Sequence, residues 1–244
     1  FREYLPYYKR NLKVALPVML TQLGASLVGL FDSIMVGHYA TVDLAAVSFA
    51  NALFFMTMVF AMDALMAITP LVGVCMGEMN VQQENQSAIR NKIAILFQNG
   101  MLFTVLQSAL MLLLLGGCIP FLEYFGQEPE VVTVARPYYI LIVISLVPFL
   151  FFTFFKQFLE GLGNTLVAMI ITLAMNGLNI LLNWVFIYGH WGADAMGATG
   201  AGIGSLISRL GMPLCFVIAM WLHREWKYYI QTFSWRKISW EEIK

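Results

Sequence analysis

Apolar residues in this chain come in long unbroken runs, separated by short polar connections. Six runs stand out, at about 12–38, 45–77, 93–119, 131–155, 164–189 and 196–222. Each is long enough to cross the hydrocarbon layer as a helix, for which about 20 residues suffice. A transmembrane barrel would need alternating apolar and polar positions in ten-residue strands. Stretches such as LQSALMLLLLGG and PYYILIVISLVPFLFFTFF do not alternate. The pattern predicts an all-α integral membrane protein, with residues 1–222 as one six-helix domain. The tail 223–244 mixes Trp and Tyr with charges, as in an interfacial cytoplasmic segment or the start of a linker. GQEPEVV at 126–132 reads as a helix start, because Pro and acidic residues suit a first turn.

Composition agrees with that pattern. The chain is 60% hydrophobic and 11% charged, against about 25% charged in a soluble domain. Its net charge of zero leaves no electrostatic footprint for nucleic acid. With the N-terminus inside the cell, 12 of the 14 basic residues fall on the inner side, only Arg136 lies outside, and Arg209 lies within the sixth run. That asymmetry is the positive-inside pattern and predicts a cytoplasmic N-terminus in the plasma membrane. The first apolar run is too long for a cleavable signal peptide and is followed by further spans. Cys75, Cys118 and Cys215 have no metal-ligand spacing, and the three histidines are scattered. GLGN at 161–164 lacks the Lys-Ser/Thr of a phosphate loop, and no nucleophilic triad appears. No enzyme and no resident cofactor are expected.

The candidate chemistry is intramembrane. Asp32 lies deep in the first run, and an ionisable residue at such depth marks a functional site by default. Asn176, Asn179 and Asn183 fall at i, i+3 and i+7 of the fifth run, on one helix face. Three amides in hydrocarbon need partners. Either they bind neighbouring helices as packing glue, or they line a hydrated cavity that faces Asp32. Asp32, Asn179, Asn183 and Thr199 are expected at similar depth, as an all-oxygen set suited to a hard monovalent cation or a relayed proton. Asp63 and Arg209 read as a structural ion pair or as cavity-lining residues with a gating or substrate role, and Glu160 as a solvated helix-end residue. Pro17 frees a carbonyl and is a hinge candidate. Gly197, Gly200, Ala201 and Gly204 would let another helix approach the sixth run closely.

Several segments together resemble the MATE family (multidrug and toxic compound extrusion). They are ALPVMLTQLGASLVGLFDSIMVGH, PLVGVCMGE, FGQEPEVVTVARPYY, FLEGLGNTLVAMIITLAMNGLNILLNWVFIYG and GATGAGIGSLISR. The resemblance implies the N-terminal six-helix lobe of a twelve-helix transporter, with a C-terminal lobe missing from this chain. It implies export of drugs and organic cations in exchange for H⁺ or Na⁺. Asp32 then matches the first-helix aspartate of the ion site, Asn179 and Asn183 the fifth-helix polar pair, and Thr199 the sixth-helix threonine. The alternatives are a lipid-linked oligosaccharide flippase of the same superfamily, or a non-transporting membrane scaffold or channel subunit.

Overall fold

The computed structural model describes residues 5–81 and 85–233. The chain forms α1 (Leu5–Tyr39), α2 (Thr41–Met66), α3 (Ile68–Val81), α4 (Gln86–Gly117), α5 (Pro129–Gly161), α6 (Thr165–Tyr188), α7 (Gly197–Leu222) and the short α8 (Lys227–Gln231). A 3₁₀ segment, Ile119–Phe125, links α4 to α5. No strand occurs among the described residues. Six helical stretches are long and apolar enough to cross a membrane: Ala15–Tyr39, Thr41–Met79, Gln86–Gly117, Pro129–Gly161, Thr165–Tyr188 and Gly197–Leu222.

The run expected at 45–77 is two helices, broken at Ala67. Pro70 explains the break. Its ring clashes with the carbonyl four residues back, at Met66, and it offers no N–H to that carbonyl. It sits instead in the first turn of α3, where a missing N–H is tolerated. Residues 234–244 of the expected tail lie outside the described residues.

The bundle is organised around α5, which packs against α7, α2, α4 and α3. Its buried face includes Leu146, Leu150, Phe154, Phe158 and Leu159. Phe97 of α4 is the hub of an aromatic cluster there, with ring centroids 5.3 Å from Phe154 and 4.8 Å from Phe158. Gly100 admits this packing, because a Cβ at that position would press on the Phe154 ring. On the other side of the bundle α6 lies between α1 and α7. Gly200 and Gly204 of α7 touch α6 so closely that a Cβ at either would overlap it. This is the tight approach that small residues permit between membrane helices.

One end of the bundle holds the C-termini of α1 and α6 and the N-termini of α2, α5 and α7; it is called distal below. There Asp43 Oδ1 accepts a hydrogen bond of 2.6 Å from the Ala198 amide, in the first turn of α7. A carboxylate suits that position, where free N–H groups and the positive end of the helix dipole coincide. The Tyr188 hydroxyl donates to the Met35 carbonyl at 2.8 Å and ties α6 to α1. These two bonds clamp the four helices around the residues described next.

Candidate functional site

The amide stripe of α6 is turned inward: Asn176, Asn179 and Asn183 are all buried. Asn183 Nδ2 donates to Asp32 Oδ1 of α1 at 2.5 Å and lies 3.5 Å from Asn179 Oδ1. Asn179 Nδ2 in turn donates to Ser208 Oγ at 3.0 Å and approaches Ser205 Oγ at 3.5 Å, both on α7. A continuous polar path thus runs from α1 through α6 to α7. It crosses a region where hydrocarbon would offer these groups nothing.

Two features of this path bear on what it could hold. Asn183 is fully buried, yet its Oδ1 accepts no hydrogen bond. That oxygen belongs to the same amide whose nitrogen holds Asp32. In addition, Asp32 is only half-buried, so its carboxylate is reached from outside the packed core. A carboxylate, a free amide carbonyl and nearby hydroxyls are hard oxygen donors, which suit an alkali cation or a proton. Gly204 is part of the construction, since a Cβ there would collide with Asn183 Oδ1.

The other expected residues fall differently. Thr199 is half-buried and forms no side-chain hydrogen bond with this set. It lies more than one turn towards the distal end from Gly204, the residue that meets Asn183. The hydroxyls come instead from Ser205 and Ser208. Asn176 packs beside Gly24 of α1, and its Nδ2 is buried without a partner. Asp63 and Arg209 form no ion pair: Asp63 is exposed, and Arg209 donates to Ser145 Oγ of α5 at 2.8 Å. The Arg209 guanidinium also lies 5.2 Å from the ring centres of Phe54 and of Phe149. It is within electrostatic range of Asp32 and of Tyr138. Glu160 is not solvated. Its side chain is 10% exposed and lies 3.9 Å from Lys156. Pro17 is buried inside an otherwise continuous α1, and the Thr21 hydroxyl donates to its carbonyl at 2.8 Å.

The family model MatE matches residues 17–185. The chain belongs to the MatE family. Among curated relatives, the "Multidrug resistance protein NorM" of Photobacterium profundum is 30% identical over 199 residues, covering 82% of this chain and 42% of its own length. The "Probable multidrug resistance protein NorM" of Bacillus subtilis is 28% identical over 247 residues, covering 97% of this chain and 50% of its own. The solved structure "Crystal structure of MATE in the bent conformation" superposes with a TM-score of 0.74 at 21% identity, over 95% of this chain and 48% of that one. The chain spans about half the length of the relatives it matches. Its six spans make one lobe of the twelve-helix MatE architecture.

Sequence reasoning missed Ser205, Ser208 and Asp43. The serines lie in GSLISR, among glycines that read as a close-packing surface. Their spacing of three on α7 was the available signal, because it places both hydroxyls on one helix face.

Proposed function

We propose that this chain is the N-terminal lobe of a secondary antiporter that exports amphipathic organic cations in exchange for H⁺ or Na⁺. The observation that carries this reading is the buried carbonyl oxygen of Asn183, left without a donor beside the half-buried Asp32. Most buried polar groups find a partner, and among the buried atoms without one here, which include Gln98 Oε1 and Gln107 Oε1, the Asn183 oxygen is the one whose own amide holds a carboxylate. A carbonyl oxygen without a donor next to a carboxylate would suit a cation that reached it. In this scheme the coupling ion is Na⁺ or a proton on Asp32, held by Asp32 and Asn183 with Asn179 behind them. The cationic substrate competes for the same negative charge. Mutual exclusion of ion and substrate at one carboxylate is what an antiporter needs.

Alternating access requires a second lobe, so the partner of this chain is a C-terminal six-helix unit. The basic residues favour a cytoplasmic N-terminus in the plasma membrane, which puts the distal end of the bundle outside. Asp32 would then load its ion from the outer side. Pro17, lower on the same helix, would let α1 bend when the carboxylate changes state.

The test is ethidium efflux from proteoliposomes that hold a full-length protein containing this lobe. An imposed pH gradient is compared with an imposed Na⁺ gradient. Efflux driven by one of them and abolished by Asp32→Asn, with folding retained, is the expected result. Gradient-driven efflux at the normal rate in Asp32→Asn overturns the assignment.

A further inference from the structure

At the end of the bundle opposite the distal one, the helices leave a cavity of about 690 Å³. That is within the range of small-ligand sites, about 300–1,000 Å³. Every element that lines it begins or ends there. Met76 and Met79 lie in the last turns of α3, and Ser87, Arg90 and Asn91 in the first turns of α4. Leu162 directly follows α5, and Glu225, Trp226 and Tyr228 follow α7. The membrane-crossing stretches stop at the same places, at Met79, Gln86, Gly161 and Leu222. The cavity therefore sits at the boundary between hydrocarbon and water, the depth at which lipid headgroups lie and Trp and Tyr collect. Its lining is divided: Met76, Met79, Leu162 and Trp226 give an apolar wall, and the α4 residues give a polar one.

Arg90 is the cation among the described residues of that lining, and it is fixed in place. Its guanidinium lies 4.2 Å from the centre of the Tyr228 ring. Tyr228 is itself pinned, because its hydroxyl donates to Asn91 Oδ1 at 2.7 Å. Stacking holds a guanidinium by its face and leaves its edge of five N–H donors for other partners. On that edge Nη2 donates to the Glu225 carbonyl at a long 3.3 Å, and the Tyr229 side chain takes a second bond. No carboxylate closes on it: among the described residues the ion pairs are Lys92 with Glu78, Arg136 with Glu123 and Lys156 with Glu160. Glu225 is the acid of the lining, and it offers Arg90 its main-chain carbonyl, not its carboxylate. A half-buried guanidinium thus keeps its charge, with donors to spare, beside an apolar wall.

We propose that this cavity binds a phospholipid, with its phosphate on Arg90 and the start of its acyl chains on Met76, Met79 and Leu162. A planar guanidinium grips a phosphate with two parallel N–H bonds. Basic pockets between helices at the membrane surface attract anionic headgroups for the same reason. The Ser87 hydroxyl and the Asn91 amide nitrogen, whose carbonyl Tyr228 already uses, are further donors in the same wall. The lipid would bridge α3 and α4 to the segment after α7. That segment is already tied to α4 where Gln98 Nε2 donates to the Thr232 carbonyl at 2.8 Å. Occupancy should therefore stabilise the fold. With the N-terminus cytoplasmic, as proposed above, the lipid comes from the inner leaflet; its binding does not depend on the antiporter reading.

The experiment follows the melting temperature of the purified, detergent-solubilised full-length protein as a probe is added. The probes are dihexanoylphosphatidylglycerol, dihexanoylglycerol, which has the same chains without the phosphate, and glycerol 1-phosphate, which has the phosphate without the chains. Phosphatidylglycerol is expected to raise the melting temperature, with a midpoint concentration about tenfold below that of dihexanoylglycerol, as for one charge-assisted contact. Glycerol 1-phosphate should leave the melt unchanged. Arg90→Gln should bring the two lipid midpoints together, and Arg90→Lys should retain part of the ratio. Ser87→Glu puts a carboxylate in the first turn of α4, where it suits the helix end and can pair with Arg90 one turn on. That variant should keep the fold and lose the preference for phosphatidylglycerol, and it serves as the readout if Arg90→Gln fails to fold. Equal lipid midpoints in the wild type, or an unchanged ratio in folded Arg90→Gln or in Ser87→Glu, overturns the site. Protection by glycerol 1-phosphate as strong as by phosphatidylglycerol would make the ligand a soluble phosphate ester and overturn the lipid assignment.

Discussion

Gly204 has no chemistry of its own, yet it sets the geometry of the site. Its Cα lies against the Asn183 amide, and the added methyl of Gly204→Ala would occupy the place of Asn183 Oδ1. Asn183 sits in the middle of a close-packed interface and cannot simply swing away: it is fully buried and holds Asp32 at 2.5 Å. Either α6 and α7 separate, or the amide turns and drops the carboxylate. Overpacking of this kind costs about 1–3 kcal/mol, while alanine recovers up to about 1 kcal/mol of helix propensity. Gly204→Ala is therefore expected to lower the melting temperature and to abolish ion-dependent protection of the fold. A melt with and without Na⁺, repeated across pH, checks this; unchanged ion protection would mean that Asn183 is not part of the ion site. The amides themselves were legible from their spacing, since i, i+3, i+7 with an acid on another span defines a face and a partner. The serines were not, because a hydroxyl among glycines signals close packing as readily as it signals a ligand.

At the scale of the element, proline decides where helices break and where they stay whole. Pro70 ends α2 at Met66, whereas Pro17 leaves α1 continuous from Leu5 to Tyr39. The sequence shows five prolines in apolar runs, Pro17, Pro70, Pro137, Pro148 and Pro213, and hydropathy alone ranks them equally, which is why the break at Ala67 was not anticipated. The outcome depends on what surrounds each ring. Pro70 has a second helix beginning beside it, tied to α5 where the Thr69 hydroxyl bonds the Gln157 side chain at 2.7 Å. Pro17 is carried within α1, and the Thr21 hydroxyl adds a contact to its carbonyl. Replacing Pro17 by Ala restores one ladder hydrogen bond, worth about 0.5–1.5 kcal/mol, and stiffens α1 below the acid it carries. Pro17→Ala should thus melt at the same or a higher temperature, bind substrate with unchanged affinity and turn over more slowly. Proteoliposome efflux set beside equilibrium dye binding tests the hinge. Wild-type turnover would show that α1 does not bend there in the cycle.

Across the whole molecule, burial is uneven in a way that bears on how the lobe works. In the most apolar 18-residue window of α5, 67% of the residues are buried within the chain; in that of α1 the share is 6%. Leu16, Met19, Leu23, Leu27 and Leu30 of α1 all face outward, while α5 is enclosed by four helices. The element that carries Asp32 is thus the one least held by its own fold. Its attachments are the α6 interface, smaller contacts with α2 and α7, the Asn183 bond and the Tyr188 clamp at its distal end. Local opening free energy follows the density of such contacts, and the elements that move in a conformational cycle come from the weakly held end of that range. Hydrogen exchange on the protein in detergent should therefore find the amides of α1 exchanging fastest among the long helices and those of α5 slowest. If Asp32 couples ion binding to the position of α1, then the ion that protects the fold should slow exchange in α1 and α6 and leave α5 unchanged. Uniform protection across all helices, or protection centred on α5, would mean that the ion stabilises the bundle as a whole and that α1 is not the moving part.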